Sequence, residues 1–389
     1  MLLLPRAAAA QAQGGCASEL STRLVPLPVY ATLPNEGNTF GVMPVFLRIC
    51  DHTERTQSII APSFTWNDVI HWTGTVRWYE YPSDTQSLTA VVSLSSRINW
   101  GLLLGWQDLP TATRALTTEI TARFQRSAFY RFFGFGPQTR AQDESSYTRV
   151  RAFVEARRGI NLGRGFNLGL SAFVRRDLAQ PLGVPGLPIS TRAFAGTPGM
   201  DGSSTAGQAL DLRYDTRPQG DYSDTGVFAQ ALAGVVEGLS NSPAYAQGRA
   251  EVRALWRESG WLGGSARAFW SGVSSPRAPF YLQSSVGGSF YLRGFTEDRF
   301  IDQAAWTVEF EQRVRIFETR IYGVVADWRV DPFVAVGQVY GGGRDPFSHP
   351  QVSGGVGFRA LVRPNVLGRV DVASGGEGIK VYVELGYPY

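Results

Sequence analysis

Arginine and glutamate repeated at every second residue are the most evident source of chemistry in this chain of 389 residues. In WTVEFEQRVRIF, one parity holds Thr307, Glu309, Glu311, Arg313 and Arg315, and the other holds Trp306, Val308, Phe310, Val314 and Ile316. In SPAYAQGRAEVRALWR, Arg249, Glu251, Arg253 and Arg257 alternate with Ala250, Val252, Ala254 and Trp256. Guanidinium and carboxylate groups set this way can bridge one another from strand to strand. Arg293 stands apart from these rows, in SSVGGSFYLRGFTEDRF, within a connection from Ser274 to Gln303 that is too long for a hairpin turn. Two readings of it stand on spacing alone: a solvated arginine in an exposed loop, or an arginine that forks onto a wall carboxylate and pins the loop.

The residues of enzyme chemistry are sparse. His52, His71 and His349 are the three histidines, no Gly-x-Ser-x-Gly elbow is present, and a Ser/His pair on a strand is the one weak route to catalysis. His71 beside Trp72 fits a strand start better than a base. No Cys/His/Asp spacing suits a metal, and the glycines of YGGGRD and GGEG precede no helix that could cradle a phosphate. The expectation is therefore a protein that is not an enzyme and holds no cofactor and no metal. Cys16 and Cys50 could pair in an oxidising compartment or stand as lone thiols.

Strands must position the charged rows, because the alternation has a period of two from about Gly41 onward. In GFNLGLSAFV it continues with Phe166, Leu168, Leu170, Ala172 and Val174 on the apolar side. About sixteen strands can be read, with the stretch 86–109 open to division into two. Apolar runs reach only a few residues, far short of the ~18 needed for a membrane helix. Glycine is abundant at 44 residues, aromatics reach 12%, and charged residues are only 18%, a balance suited to a wall that faces lipid. A charged inner face and an apolar outer face specify a transmembrane antiparallel β-barrel, since a filled core would make the inner charges costly. Trp66, Trp72, Trp78, Tyr79 and Tyr81 cluster near strand ends, as do Tyr382, Tyr387 and Tyr389, where amphipathic rings suit a membrane interface.

A barrel of that size is too wide for its own side chains to fill. The connections Leu178 to Ala206 and Ser274 to Gln303 are long and rich in Gly, Pro and Ser, whereas others are short turns, which matches two unequal rims. The net charge is only +4 and the basic residues are scattered, so nucleic acid is not an expected partner. Lys380 is the only lysine. MLLLPRAAAAQAQGG resembles the tail of a secretory signal with cleavage near Ala12, giving a remnant over 1–12, a periplasmic lead-in over 13–38 and the barrel over 39–389.

Several segments carry a resemblance to the bacterial surface antigen superfamily, the BamA/TamA-type assembly barrels and two-partner secretion barrels. Leu292, Arg293, Gly294 and Phe295 resemble the Val-Arg-Gly-Phe/Tyr signature of that family's inward-folded loop. Glu311-Gln312-Arg313 is similar to its Glu-x-Arg on the next strand, and YRFFGFGPQT to its Phe-x-Gly-x-Gly segment. Asp215, Thr216 and Arg217, with Gly226, resemble its Asp-Thr-Arg motif, although the proline often found before that glycine is missing. In GIKVYVELGYPY, Tyr387 and Tyr389 look like the terminal-strand insertion signal, and Pro388 removes a ladder donor there. One departure is clear: Phe333-Val334-Ala335-Val336-Gly337 has Ala335 where relatives carry an aspartate.

The resemblance implies that Arg293 docks on Glu311, with Glu309 on the same face as a second partner, and that the loop folds into the lumen. It implies an outer-membrane barrel in contact with lipid that assists protein insertion or translocation. Its clients would be unfolded outer-membrane or secreted proteins. With too little sequence before the barrel for the family's periplasmic POTRA domains, recruitment would fall to a separate periplasmic partner. The other expectation is a porin-like channel or structural barrel that keeps the fold without the activity.

Overall fold

The computed structural model describes residues 20–50, 55–83, 85–110, 115–218, 223–321, 324–362 and 366–385. Eighteen of its strands form one sheet that closes on itself, and two short strands pair separately. The first half comprises β1 (Leu20–Leu33), β2 (Gly37–Cys50), β3 (Arg55–Asn67), β4 (His71–Glu80), β5 (Gln86–Ser95), β6 (Trp100–Asp108), β7 (Leu116–Phe132), β8 (Ser145–Gly163) and β9 (Phe166–Gln180). The second comprises β10 (Ser203–Asp215), β11 (Gly226–Ser240), β12 (Tyr245–Arg257), β13 (Leu262–Val273), β16 (Ala304–Ile321), β17 (Val324–Tyr340), β18 (Gln351–Val362), β19 (Val366–Ser374) and β20 (Ile379–Leu385), with β14 (Ser284–Val286) and β15 (Phe300–Asp302) as the small pair. Neighbours in sequence are neighbours in the sheet, each pair antiparallel, and among the described residues helix amounts to single turns such as Ser190–Ala193.

The alternation in sequence is the alternation of the wall. On β16, Val308 and Phe310 point out and are exposed, whereas Glu309 and Glu311 point in and are buried. Leu94, Leu170, Val174, Leu210 and Val252 continue the exposed apolar surface on other strands. Arg157, Asp211, Glu251, Arg253, Arg267, Arg359 and Asp371 are buried on the inner side. An apolar outside with a charged inside reverses the usual soluble arrangement and is the distribution a hydrocarbon surrounding requires.

The strand count exceeds the expected figure of about sixteen for two reasons. The stretch 86–109 divides: the chain reverses between Ser95, whose N–H donates to the Asn99 carbonyl at 3.0 Å, and Asn99, with Ile98 at φ +58°. The second addition is β1, which lies inside the segment 13–38 expected as a lead-in and pairs with β2 over its whole length. Pro26 and Pro28 hide it, because proline within a run argues against a strand except at an edge.

Those prolines also bear on how the cylinder closes. Pro26 sits opposite Pro44 in an unbroken register with β2. A proline cannot exchange hydrogen bonds in a paired position, so Pro26 and Pro28, which share a parity, turn their missing donors away from β2 and toward the seam. Among the described residues, β1 meets β20 at one pair, Thr32 with Val383. β19 and β20, by contrast, are in register from Gly368↔Leu385 to Ser374↔Ile379. At the end of β2, Cys50 is disulfide-bonded. Cys16 lies outside the described residues.

Candidate functional site

The connection 274–303 joins β13 to β16, and its base is the β14–β15 ladder, Ser284↔Asp302 to Val286↔Phe300. The tip turns tightly, with Gly287 at φ +117°, Gly288 at +103° and Gly294 at +114°, and Leu292 is held at +57°. A left-handed leucine is uncommon and persists only where its surroundings fix it. Here Leu292, Phe295, Val286 and Phe300 pack into one buried cluster with Ala305, Ala335 and Val339 of the wall.

Arg293 is fully buried at 0% exposure. Its Nη2 donates at 2.9 Å to Glu309 Oε1 and at 2.9 Å to Glu311 Oε2, both on β16. Nη1 lies 3.2 Å from Asp371 Oδ2 on β19. Beneath the guanidinium, the Phe333 ring centroid is 3.5 Å away, placing the cation over an aromatic face as well as among carboxylates. The structure thus brings Arg293 together with Glu309 and Glu311.

The carboxylate missing at Ala335 is supplied from elsewhere. Ala335 sits opposite Glu309 in the β16–β17 register and is buried against the loop cluster. Asp371 holds the Arg293 fork and also accepts from Arg359 Nη1 at 2.5 Å and Arg369 Nη1 at 3.1 Å. Arg359 in turn stands 3.5 Å from Glu311 and 3.5 Å from Asp331. Arg369 also pairs with Glu384. Alternating signs across β16 to β20 let each buried charge keep partners, which is the condition for burying it.

The backbone of the tip is fastened too. Tyr382 Oη accepts from Gly294 N–H at 2.9 Å and donates to the Phe295 carbonyl at 2.6 Å. A Cβ at Gly294 would lie 2.7 Å from the Ser374 carbonyl carbon, and one at Gly375 would lie 2.1 Å from the Phe295 ring. Both positions therefore need glycine for contact, and Gly294 needs it for conformation as well.

Two further anchors hold the flanks. Asn35, in the β1–β2 turn, donates from Nδ2 to the Glu297 carbonyl and accepts at Oδ1 from Glu297 N–H, both at 3.2 Å. Arg299 Nε donates to the Glu377 carboxylate at 2.9 Å, and its Nη groups reach Thr139 Oγ1 at 2.8 Å and the Thr139 carbonyl at 2.7 Å. The Gly136 N–H donates to the Ile301 carbonyl at 2.9 Å, so YRFFGFGPQT is the segment against which the loop base rests. Burial pushes the Glu297 carboxyl up to about 8, with Asp298 beside it adding to the rise. At Glu36, burial and then Glu384 raise the carboxyl to about 7.

Asp215, Thr216, Arg217 and Gly226 form a different structure, the connection between β10 and β11. Arg217 Nε and Nη2 donate to Asp215 at 3.0 Å each, and Thr216 Oγ1 accepts from Val227 N–H at 2.9 Å. A Cβ on Gly226, at φ +113°, would lie 2.9 Å from Arg217 Cα. The motif is thus a local turn clamp, whose bonds among the described residues stay within the connection and the adjoining strand. Tyr387 and Tyr389 lie outside the described residues. Sequence does not single out Asp371, Arg359 and Asn35, and it reads Tyr382 as an interface ring, whereas the structure buries Tyr382 at 0% exposure because its hydroxyl is taken up by the loop tip. Parity alone places Asp371 with Arg369 on the inner face of its strand, and Tyr382 opposite Val381 and Val383, but nothing in parity says which strand the loop tip meets.

No family model and no curated protein matches the sequence. Solved structures do share the fold. BamA from Haemophilus ducreyi lacking POTRA domains 1–3 is similar at 13% identity and a TM-score of 0.58, over 93% of this chain and 74% of that one. CdiB from Acinetobacter baumannii is similar at 11% identity and a TM-score of 0.53, over 95% of this chain and 65% of that one, just under two thirds of its length. The chain has the fold of a BamA- and CdiB-type barrel.

Proposed function

We propose that this chain is an outer-membrane β-barrel that assists insertion of proteins into that membrane or their translocation across it. In this reading the loop 274–303 occupies the lumen as a plug fastened by Arg293, and the β1–β20 seam is where the wall opens. The observation that carries it is the β1 edge, where Pro26 and Pro28 leave the seam short of donors and where, among the described residues, β1 meets β20 at Thr32↔Val383. An edge short of N–H donors is easily parted from its neighbour, and a parted edge is a template for an incoming strand. The fold shared with BamA and CdiB supports the same reading. The clients would be unfolded outer-membrane or secreted polypeptides.

A passive-channel reading draws on a cavity of about 460 Å³ between the loop and the β4–β7 wall, lined by Thr73, Ser93, Ser95 and Gln125 among others. Reconstituted liposomes separate the two. The barrel should speed folding of an unfolded barrel client into the bilayer, and a Thr32→Cys/Val383→Cys disulfide across the seam should abolish that effect reversibly. Acceleration that survives the oxidised crosslink would refute the seam, and ion conductance with no effect on the client would establish the channel.

A further inference from the structure

The inner face of β7, β8 and β9 carries a guanidinium cluster in which Tyr281 of the loop covers Arg149, while among the described residues Arg123, Arg151 and Arg175 make no hydrogen bond to the loop. In register across the three strands, Arg123 faces Phe153, which faces Arg175, and one row along Gln125 faces Arg151, which faces Asp177. Neighbouring strands lie about 5 Å apart, so Arg123 and Arg175 flank Phe153 in one row, with Arg151 in the next row, within reach of one another. The Arg175 guanidinium lies 4.7 Å over that ring.

These cations are short of carboxylates. Asp177 serves Arg149 at 2.7 Å and Arg151 at 3.2 Å, and Arg175 comes no closer to it than 4.0 Å. Arg175 Nε is buried without a hydrogen bond. Among the described residues the Arg123 side chain has no hydrogen-bond or ion-pair partner. Glu155, one row beyond Phe153, is the other acid on this patch, so four arginines face two carboxylates. Further along the wall, where β10 joins it, the balance is restored: Arg157 and Arg213 meet Glu119 and Asp211. Arg151 and Arg175 remain partly open to the interior, at 19% and 25% side-chain exposure.

We propose that Arg123, Arg151 and Arg175 form an anion site on the inner wall that takes a phosphate-type oxyanion. Convergent guanidinium forks match the several oxygens of such a group, and the aromatic floor keeps competing water from one side. The site stands independently of the seam and of any client. Isothermal titration of inorganic pyrophosphate into the folded barrel in non-ionic detergent should show saturable binding. Arg123→Gln and Arg175→Gln should each weaken it about ten-fold or more, the loss expected when a charge-assisted contact is removed. Arg123→Lys should retain part of the affinity, and Arg176→Gln, an outward-facing neighbour, should leave it unchanged. Heat-modifiable migration on gels establishes that each variant is folded. Absence of binding by the wild-type barrel, or equal binding by folded Arg123→Gln, would overturn the site, and neither result depends on insertion activity.

Discussion

Arg293→Ala should release the loop without unfolding the barrel. The substitution removes a fully buried cation that bonds to Glu309, Glu311 and Asp371. Deleting one partner of a buried pair costs about 3–5 kcal/mol, because the carboxylates left behind stay desolvated. The lower end applies here, since Arg359 still reaches Glu311 and Asp371. A loss of about 3 kcal/mol lowers the docking equilibrium about a hundredfold. The barrel ladders do not involve Arg293, so heat-modifiable migration should persist. Hydrogen exchange is the direct assay: the amides of Gly294, bonded to Tyr382 Oη, and Gly288, bonded to the Phe295 carbonyl, should exchange about a hundredfold faster. Arg293→Lys should fall between, because one ammonium cannot reproduce the planar fork. Unchanged exchange at both amides in Arg293→Ala would refute the idea that this guanidinium holds the loop.

Other consequences can be measured in the same way. Tyr382→Phe loses a hydroxyl that both accepts from Gly294 and donates to Phe295, and should weaken docking by about 1–3 kcal/mol, read by the same amides. Gly294→Ala should undock the tip more completely than Tyr382→Phe, through its φ of +114° and the 2.7 Å approach to Ser374, with proteolysis within the loop as the readout. Docking should also depend on pH through Glu297 and Glu36, whose carboxyls are raised to about 8 and about 7 by burial. A raised carboxyl binds more protons in the docked state, so the contribution is fully present below the ordinary carboxylate range and is lost as pH rises through 7 to 8. Relative to Glu297→Gln, wild-type loop cleavage should therefore increase between pH 5.5 and pH 8.5, and a flat ratio would refute this contribution. Asp371→Asn should loosen the tip as well, because it removes the negative charge shared by Arg293, Arg359 and Arg369, whereas an effect no larger than that of an outward substitution would deny it that role.

The period of two determined from sequence which face of each strand is wet and which is apolar, because alternation is a local property of extended backbone and needs no partner to be read. The same locality made Arg293, Glu309 and Glu311 visible as candidates once the loop was seen to lie between two patterned strands. It failed where a signal is not local. The strand β1 carries two prolines whose cost depends on which edge they face, and only the closed sheet shows that they face the seam. The turn at Ser95–Asn99 decides the division of 86–109 that the sequence leaves open. Asp371 and Tyr382 lie far from Arg293 in sequence, and their meeting with it follows from cylinder closure, which brings the last strands beside β16 and β17. Sequence thus settled the chemistry of each wall face, since side-chain direction follows from the residue's own parity. Tertiary structure alone decided which charges neutralise one another, because that depends on curvature and closure summed over all eighteen strands.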